Sequence, residues 1–224
     1  MTVQNAASPP LAVRQAAPFL HLPNNSRLGD ASPLPPPETR GAVFLDRDGV
    51  LVKDVHFLVR PDQLQVLPGV ASALRDLQRT SYVVVVSNQS GIARGYLTED
   101  DLLAVHTELV RLFAGDGVIV DALYYCPHLP EAPVAAYATE CDCRKPAPGM
   151  ILRALADWDL DASDSVMVGD SPRDVEAARR AGIPGILIAR NGLEESGAEQ
   201  AVAGLPEVAA LVPSIRSRRR QGGT

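Results

Sequence analysis

The sequence predicts an α/β protein built on a doubly wound parallel sheet with helices on both faces. Three observations predict it. From Gly41 onward, short apolar runs alternate with segments of helical periodicity. The run Tyr82–Val86 is continuously β-branched after its tyrosine, as a strand buried on both faces is. Polar residues cluster just after the expected strands, where ligands bind in such sheets.

Ala42–Leu45 reads as the first strand of this pattern. Val70, Ala73, Leu74 and Leu77 share a helical face after Pro68-Gly69. Tyr82–Val86 is the second strand. Thr98 is placed to N-cap a helix, with Asp101 three residues on, and Leu102, Leu103, Val105, Leu109 and Leu112 supply an apolar face. Ala122–Tyr125 is a short strand. Residues 126–147 form a Pro- and Cys-containing loop, expected to be the widest insert. Met150–Ala156 is helical, Val166–Val168 a strand, and Val175–Ala181 a helix that stops at Gly182. Ile183–Ala189 is a strand interrupted near its start by Pro184-Gly185, and Leu205–Leu211 a last short helix. No connection is long enough for a large cap domain.

The ends read differently. Residues 1–40 hold eight of the 19 prolines and show neither periodicity, so a disordered extension is expected there. Residues 41–212 are the folded domain. Residues 213–224, with Arg216, Arg218, Arg219 and Arg220, are expected to be a basic, disordered tail.

A length of 224 residues suffices for one domain with a real core. A composition of 46% apolar and 21% charged residues suits a soluble globular protein. The net charge of −6 argues against nucleic acid as the main partner. No apolar run approaches the ~18 residues that would span a bilayer, and the N-terminus lacks a secretory pattern. Three cysteines without such a signal point to the cytoplasm and to metal or catalytic use. Nothing marks a dimer interface, so a monomer is expected.

The chemistry sits at the strand ends. Asp46 and Asp48 follow the first strand, one residue apart, and two acids that close resist ionising together unless a cation is shared. Ser87-Asn88-Gln89-Ser90-Gly91 follows the second. Cys126-Pro127-His128 follows the third, Arg144-Lys145-Pro146 precedes the next helix, and Gly169-Asp170 with Asp174 follows the fourth. Taken singly each is ordinary turn or cap chemistry. Together, an acid pair, a hydroxyl, a lysine and a further acid fit phosphoryl transfer through an aspartyl-phosphate. A hard cation such as Mg²⁺ prefers the oxygens that Asp46, Asp170 and the backbone near Asp48 offer. Cys126, His128, Cys141 and Cys143 supply three thiolates and an imidazole, a closed tetrahedral set of the kind that holds structural Zn²⁺.

From Val43 to about Ala189 the chain resembles the haloacid dehalogenase superfamily of phosphohydrolases, which implies a Rossmann-type fold. Asp46-Arg47-Asp48-Gly49, Ser87, Lys145, and Gly169-Asp170 with Asp174 look like its four motifs in order. The resemblance implies that Asp46 is the nucleophile and Asp48 the general acid and then base. It implies that Ser87 and Lys145 orient the phosphoryl group, and that Asp46, Asp170 and the Asp48 carbonyl hold Mg²⁺. Ser87–Gly95 and Arg144-Lys145-Pro146 with Pro148-Gly149-Met150 are similar to the heptose 1,7-bisphosphate 7-phosphatases. That narrower resemblance implies a small phosphorylated sugar as substrate. It implies a sugar site formed by Asp54, His56, Asn88, Gln89, Ser90, Arg94, Arg144, Lys145 and Ser171, and it supports the zinc loop. Ser171 stands where those enzymes often have lysine, and Val50 and Val52 where threonine and a polar residue are common. Histidinol-phosphate phosphatase is the alternative on the same core. A phosphoacceptor signalling domain would carry its aspartate after the third strand, where this chain reads Tyr124-Tyr125-Cys126.

Overall fold

The computed structural model describes residues 19–22, 37–189 and 200–222. The described strands are β1 (Phe19–His21), β2 (Ala42–Leu45), β3 (Tyr82–Asn88), β4 (Ala122–Cys126), β5 (Val166–Gly169), β6 (Gly185–Ile188) and β7 (Gln200–Val202). The helices are α1 (Val70–Leu77), α2 (Glu99–Gly115), α3 (Gly149–Asp157), α4 (Pro172–Arg180) and α5 (Leu205–Gly222). One sheet joins the strands in the order β1-β4-β3-β2-β5-β6-β7. Only the β1–β4 pairing is antiparallel. The doubly wound parallel sheet expected from the sequence is therefore present.

Side-chain alternation along the strands builds two cores. Val43, Leu45, Val83, Val85, Val166 and Val168 pack with Leu74 of α1, Leu109 of α2 and Val208 of α5. Ala42, Phe44, Val84, Val86 and Met167 face the other way, against Met150 and Ile151 of α3 and Ala177 and Ala178 of α4. Strands buried on both faces need no polar alternation, which is why β2 and β3 read as apolar runs.

Register brings the chemistry to one edge. Leu45 pairs with Val85 on one side and Val168 on the other, so the next residue, Asp46, emerges between β3 and β5. Ser87 pairs with Tyr125, and Asn88 with Cys126.

Several expectations are corrected. The last helix does not stop near Leu211 but runs through Pro213 to Gly222, so residues 213–222 are helical rather than a disordered tail. Three of its arginines are anchored, Arg219 through Gly182 O. Arg216 is buried and donates to Thr80 O at 3.1 Å and Ser81 Oγ at 2.9 Å, and Arg220 pairs with Asp164. Part of the proline-rich extension is ordered as well. Phe19–His21 adds a strand to the edge of β4, while residues 1–18 and 23–36 lie outside the described residues. On α2, Leu103 is exposed, and the buried stripe instead includes His106 and Phe113. Helix α4 begins three residues before Val175. Ser171 caps it, Asp174 closes a capping box, and Pro172 takes the first turn. The connection 46–69, not the cysteine loop, is the longer insert, and it is pinned by bridges Asp48↔Val52 and Val52↔Val66.

Candidate active site

Asp46 leaves β2 with its backbone N–H on Val168 O at 3.0 Å. Its two carboxylate oxygens have separate partners. Oδ1 accepts the Arg47 backbone N–H at 2.7 Å, and Oδ2 lies 3.1 Å from Lys145 Nζ. Lys145 is buried, and its ammonium meets Val86 O at 2.8 Å, Asp46, and Asp174 Oδ1 at 2.7 Å. One hydrogen bond and two ion pairs thus surround the ammonium. Burial pushes the Lys145 ammonium down, but Asp174 and Asp46 outweigh it and leave it raised, so it stays charged. The Lys145 backbone is clamped by Asn88, whose Nδ2 donates to Lys145 O and whose Oδ1 accepts Lys145 N–H, both at 3.0 Å. Lys145 thus lies beneath the pocket, in contact with Asp46, rather than on its wall.

Asp174 can fold back under the site because Gly169 has no Cβ, which would collide with the Asp174 side chain. Asp174 is wholly buried and raised, by burial first and by Asp46, against the pull of Lys145. Asp170 stands at the pocket. Loss of water around it, then Asp46 and Asp174, push it up to about 6. Carboxylate oxygens of Asp46, Asp170 and Asp174 all lie within 4.8 Å of one another. Three acids this close, two of them raised, fit a hard cation that would relieve their repulsion.

Asp48 does not join that group. Its carboxylate turns to Arg47 and Gln89. Ser87 Oγ is buried at the end of β3 and accepts from Gln89 Nε2 at 2.8 Å. Around this centre opens a cavity of about 560 Å³. Asp46, Asp48, Ser87 and Asp170 form its chemical end. Asp54, His56 and Phe57, from the long connection, form one side, with His56 held at φ 73° while its N–H donates to Asp54 Oδ1 at 2.7 Å. Asn88, Gln89, Ser90, Arg94, Arg144 and Ser171 complete the wall. The structure therefore gathers the expected residues around one cavity. It also shows that the Asn88 and Gln89 amides are engaged in holding Lys145, Ser87 and Asp48.

Sequence reasoning missed Arg47 and Arg173. Arg173 lines the pocket and donates from Nε to Ser171 Oγ at 2.9 Å. Its signal was its place in the first turn of the helix after β5. Arg144 is lowered by burial and then by the charges of Arg173 and Arg94. Three guanidiniums that feel one another make this end of the cavity electropositive.

The cysteine loop closes beside the site. Cys126 Sγ lies 3.6 Å from Cys141 Sγ and 3.7 Å from His128 Nδ1. Cys143 Sγ lies 3.3 Å from Cys141 Sγ and 3.4 Å from His128 Nδ1. Ligands about 2.3 Å from a tetrahedral centre would be about 3.7 Å apart, so the set fits a metal of that size. Cys141 is pulled down by hydrogen bonds from Cys126 and Cys143. Cys126 is pushed up to about 12 by its contact with Cys141, and Cys143 is pushed up by Cys126 and Cys141. Three thiols this close resist ionising together, and a cation would relieve that repulsion. Arg144 Nη1 donates to His128 O at 3.2 Å, tying the pocket to this knot.

The HAD-hydrolase-like family model matches residues 142–215. A D-glycero-beta-D-manno-heptose-1,7-bisphosphate 7-phosphatase of Rhodopseudomonas palustris is 44% identical over 147 residues, 65% of this chain and 82% of that protein. The D-glycero-D-manno-heptose-1,7-bisphosphate 7-phosphatase of Thermosynechococcus vestitus is 48% identical over 66% of this chain and 79% of its own length. The crystal structure of D,D-heptose 1,7-bisphosphate phosphatase from B. bronchiseptica, complexed with magnesium and phosphate, superposes with a TM-score of 0.67 at 36% identity, covering 78% of this chain and 98% of that one. With motifs, sheet order and pocket in agreement, the chain belongs to the heptose bisphosphate phosphatase family of the haloacid dehalogenase-like hydrolases.

Proposed function

We propose that this protein removes the 7-phosphate of D-glycero-D-manno-heptose 1,7-bisphosphate through an aspartyl-phosphate on Asp46. The observation that carries the reading is the Asp46 carboxylate, fixed by Lys145 and the Arg47 backbone on the lining of a polar cavity. It belongs to a chain at least 44% identical to two proteins bearing that name.

In this reading one Asp46 oxygen attacks phosphorus, splitting a hard hydrolysis into two easier steps. Asp48 gives a proton to the leaving sugar oxygen and then takes one from water. Ser87 hydrogen-bonds a phosphoryl oxygen, and Lys145 keeps Asp46 ionised and aimed. Magnesium, held by Asp46, Asp170 and the main-chain carbonyl of Asp48, supplies positive charge that offsets the phosphoryl oxygens. Asp54, His56, Ser90 and Ser171 contact the sugar, and Arg94 and Arg144 favour a substrate carrying a second anion. Zinc on Cys126, His128, Cys141 and Cys143 is structural, since four protein ligands leave no open position.

The reading includes a monomer in the cytoplasm. Among the described residues no helix is long and apolar enough to cross a membrane.

The test is phosphate release from heptose 1,7-bisphosphate and from histidinol phosphate, with and without Mg²⁺. The expected result is Mg²⁺-dependent turnover of the heptose ester, abolished in Asp46→Asn. A hundredfold preference for histidinol phosphate would overturn the substrate assignment.

A further inference from the structure

Arg47 stands between the two catalytic carboxylates and is 1% exposed. Its backbone N–H donates to Asp46 Oδ1 at 2.7 Å. Its guanidinium grips the Asp48 side chain, with Nε to Oδ1 at 3.1 Å, Nη2 to Oδ1 at 3.0 Å and Nη2 to Oδ2 at 2.7 Å. Gln89 completes the grip. Its Oε1 accepts from Arg47 Nη2 at 3.3 Å, and its Nε2 donates to Asp48 Oδ2 at 3.2 Å and to Ser87 Oγ at 2.8 Å. The Gln89 backbone is itself pinned to Cys126 O at 2.7 Å.

A fully buried guanidinium costs stability unless its donors are used; Nε and Nη2 of Arg47 are used here, while Nη1 has no hydrogen-bond partner among the described residues. Balancing the charge of Asp48 would require one contact. Here a planar fork fixes both carboxylate oxygens, and a second side chain orients the fork and reaches the hydroxyl of Ser87. Asp48 is 27% exposed, so it retains one open side toward the cavity.

We infer that Arg47 and Gln89 are positioning residues that set the orientation of Asp48 for proton transfer, in register with Asp46 and Ser87. This rests on the phosphatase reading above. In the first step an Asp46 oxygen bonds to phosphorus. The bond from phosphorus to the leaving oxygen breaks with its electron pair on that oxygen, and Asp48 supplies the proton. In the second, water adds to phosphorus, its proton goes to Asp48, and Asp46 is released as carboxylate. A misaimed Asp48 would slow the first step most for a leaving group that needs a proton, such as an alkoxide. It would hardly slow a leaving group that departs as a stable anion, such as 4-nitrophenolate.

The experiment measures single-turnover release of the leaving group from a sugar phosphate and from 4-nitrophenyl phosphate. It uses the full chain, metal-loaded, with wild type, Arg47→Met, Arg47→Lys and Gln89→Met. The expected result for Arg47→Met is a loss of a hundredfold or more on the sugar ester and less than tenfold on the aryl ester. Gln89→Met should show the same split at smaller size, and Arg47→Lys should recover part of the loss. Equal losses on both esters would overturn the inference, because a general structural effect does not distinguish leaving groups. If Arg47→Met fails to fold, Gln89→Met, which removes no charge, decides the question by the same ratio. Wild type inactive on every phosphate ester would instead sink the phosphatase reading, and this inference with it. Wild type active on other sugar phosphates but not on the heptose ester would sink only the substrate.

Discussion

Gly49 and Asp170 are so close that a Cβ on Gly49 would overlap the Asp170 carboxylate, and Gly49 has φ 77°. Two constraints coincide at one residue. The backbone needs a left-handed conformation where the acid loop turns, and the facing strand end needs room for its carboxylate. Gly49→Ala would meet both. Left-handed backbone costs a non-glycine residue about 1–2 kcal/mol, and Asp170 would have to move. We expect a lower melting temperature and at least a tenfold higher Mg²⁺ requirement, read from activity against Mg²⁺ concentration. An unchanged Mg²⁺ curve would refute the link between this glycine and the cation site.

Asp170 gives a pH dependence with a definite sign. It is raised to about 6 by loss of water around it, then by Asp46 and Asp174. In the metal-free protein it binds a proton below that value, and a cation must displace the proton. Mg²⁺ affinity should therefore fall by up to about tenfold per pH unit below pH 6 and level off above it. Calorimetric Mg²⁺ titrations between pH 5 and 8 would test this. The same shift means that, without metal, this group favours the folded state more as pH falls from about 6 toward its unfolded value. An affinity that is flat from pH 5 to 7 would contradict the assignment.

His21 and His106 meet through Nδ1 atoms 2.8 Å apart, and both rings pack on Tyr125. Such a bond needs one donor and one acceptor, so a second proton breaks it. His106 is fully buried, and its Nε2 has no hydrogen-bond partner among the described residues. Burial, then Arg47 and His21, hold it well below the ordinary imidazole range. Burial lowers His21, with Glu99 opposing. For histidines depressed in the folded state, the stabilisation is present above the unfolded value near 6.5 and is lost as pH falls through the lowered folded value. Strand β1 should thus be held at pH 7.5 and loosen as the medium turns acid. Hydrogen exchange of residues 19–22 at pH 5 and 7.5 would show it. His21→Ala should weaken the strand's protection at pH 7.5 by about 0.5–1.5 kcal/mol and shrink the difference between the two pH values.

These two histidines also mark the limit of what could be read in the sequence. The strands, the acid pair, Ser87, Lys145 and the cysteine set were legible because each depends on local pattern or on a residue type at a strand end. His21 and His106 are 85 positions apart, and no periodicity ties a residue in a proline-rich segment to the edge of β4. Helix α5 was misread for a similar reason. Pro213 and four arginines look like a terminus, yet Arg216 reaches Thr80 and Ser81, and Arg220 reaches Asp164. Charge satisfied at long range leaves no trace in local hydropathy. Arg47 carries no local signal of its role, because one of its partners, Gln89, is 42 positions away in the sequence.

Removal of the metal from the cysteine set should separate two basic neighbours. Arg144 depends on the loop, since its Nη1 is anchored on the carbonyl of His128. Lys145 has its own supports. Asn88 clamps its backbone from β3, and Val86 O, Asp46 and Asp174 hold its ammonium. Chelation, or Cys143→Ser, should therefore disturb sugar-phosphate binding more than the setting of Asp46. We expect KM to rise tenfold or more, kcat to fall only severalfold, and Mg²⁺ still to bind. Three hydrogen bonds and two ion pairs outside the loop outweigh one backbone neighbour in fixing Lys145, each hydrogen bond being worth roughly 0.5–3 kcal/mol. Steady-state kinetics on the chelated protein would check the split, with metal content measured alongside. A collapse of kcat at unchanged KM would show instead that Lys145 depends on the knot, and that the Asn88 clamp cannot hold it alone.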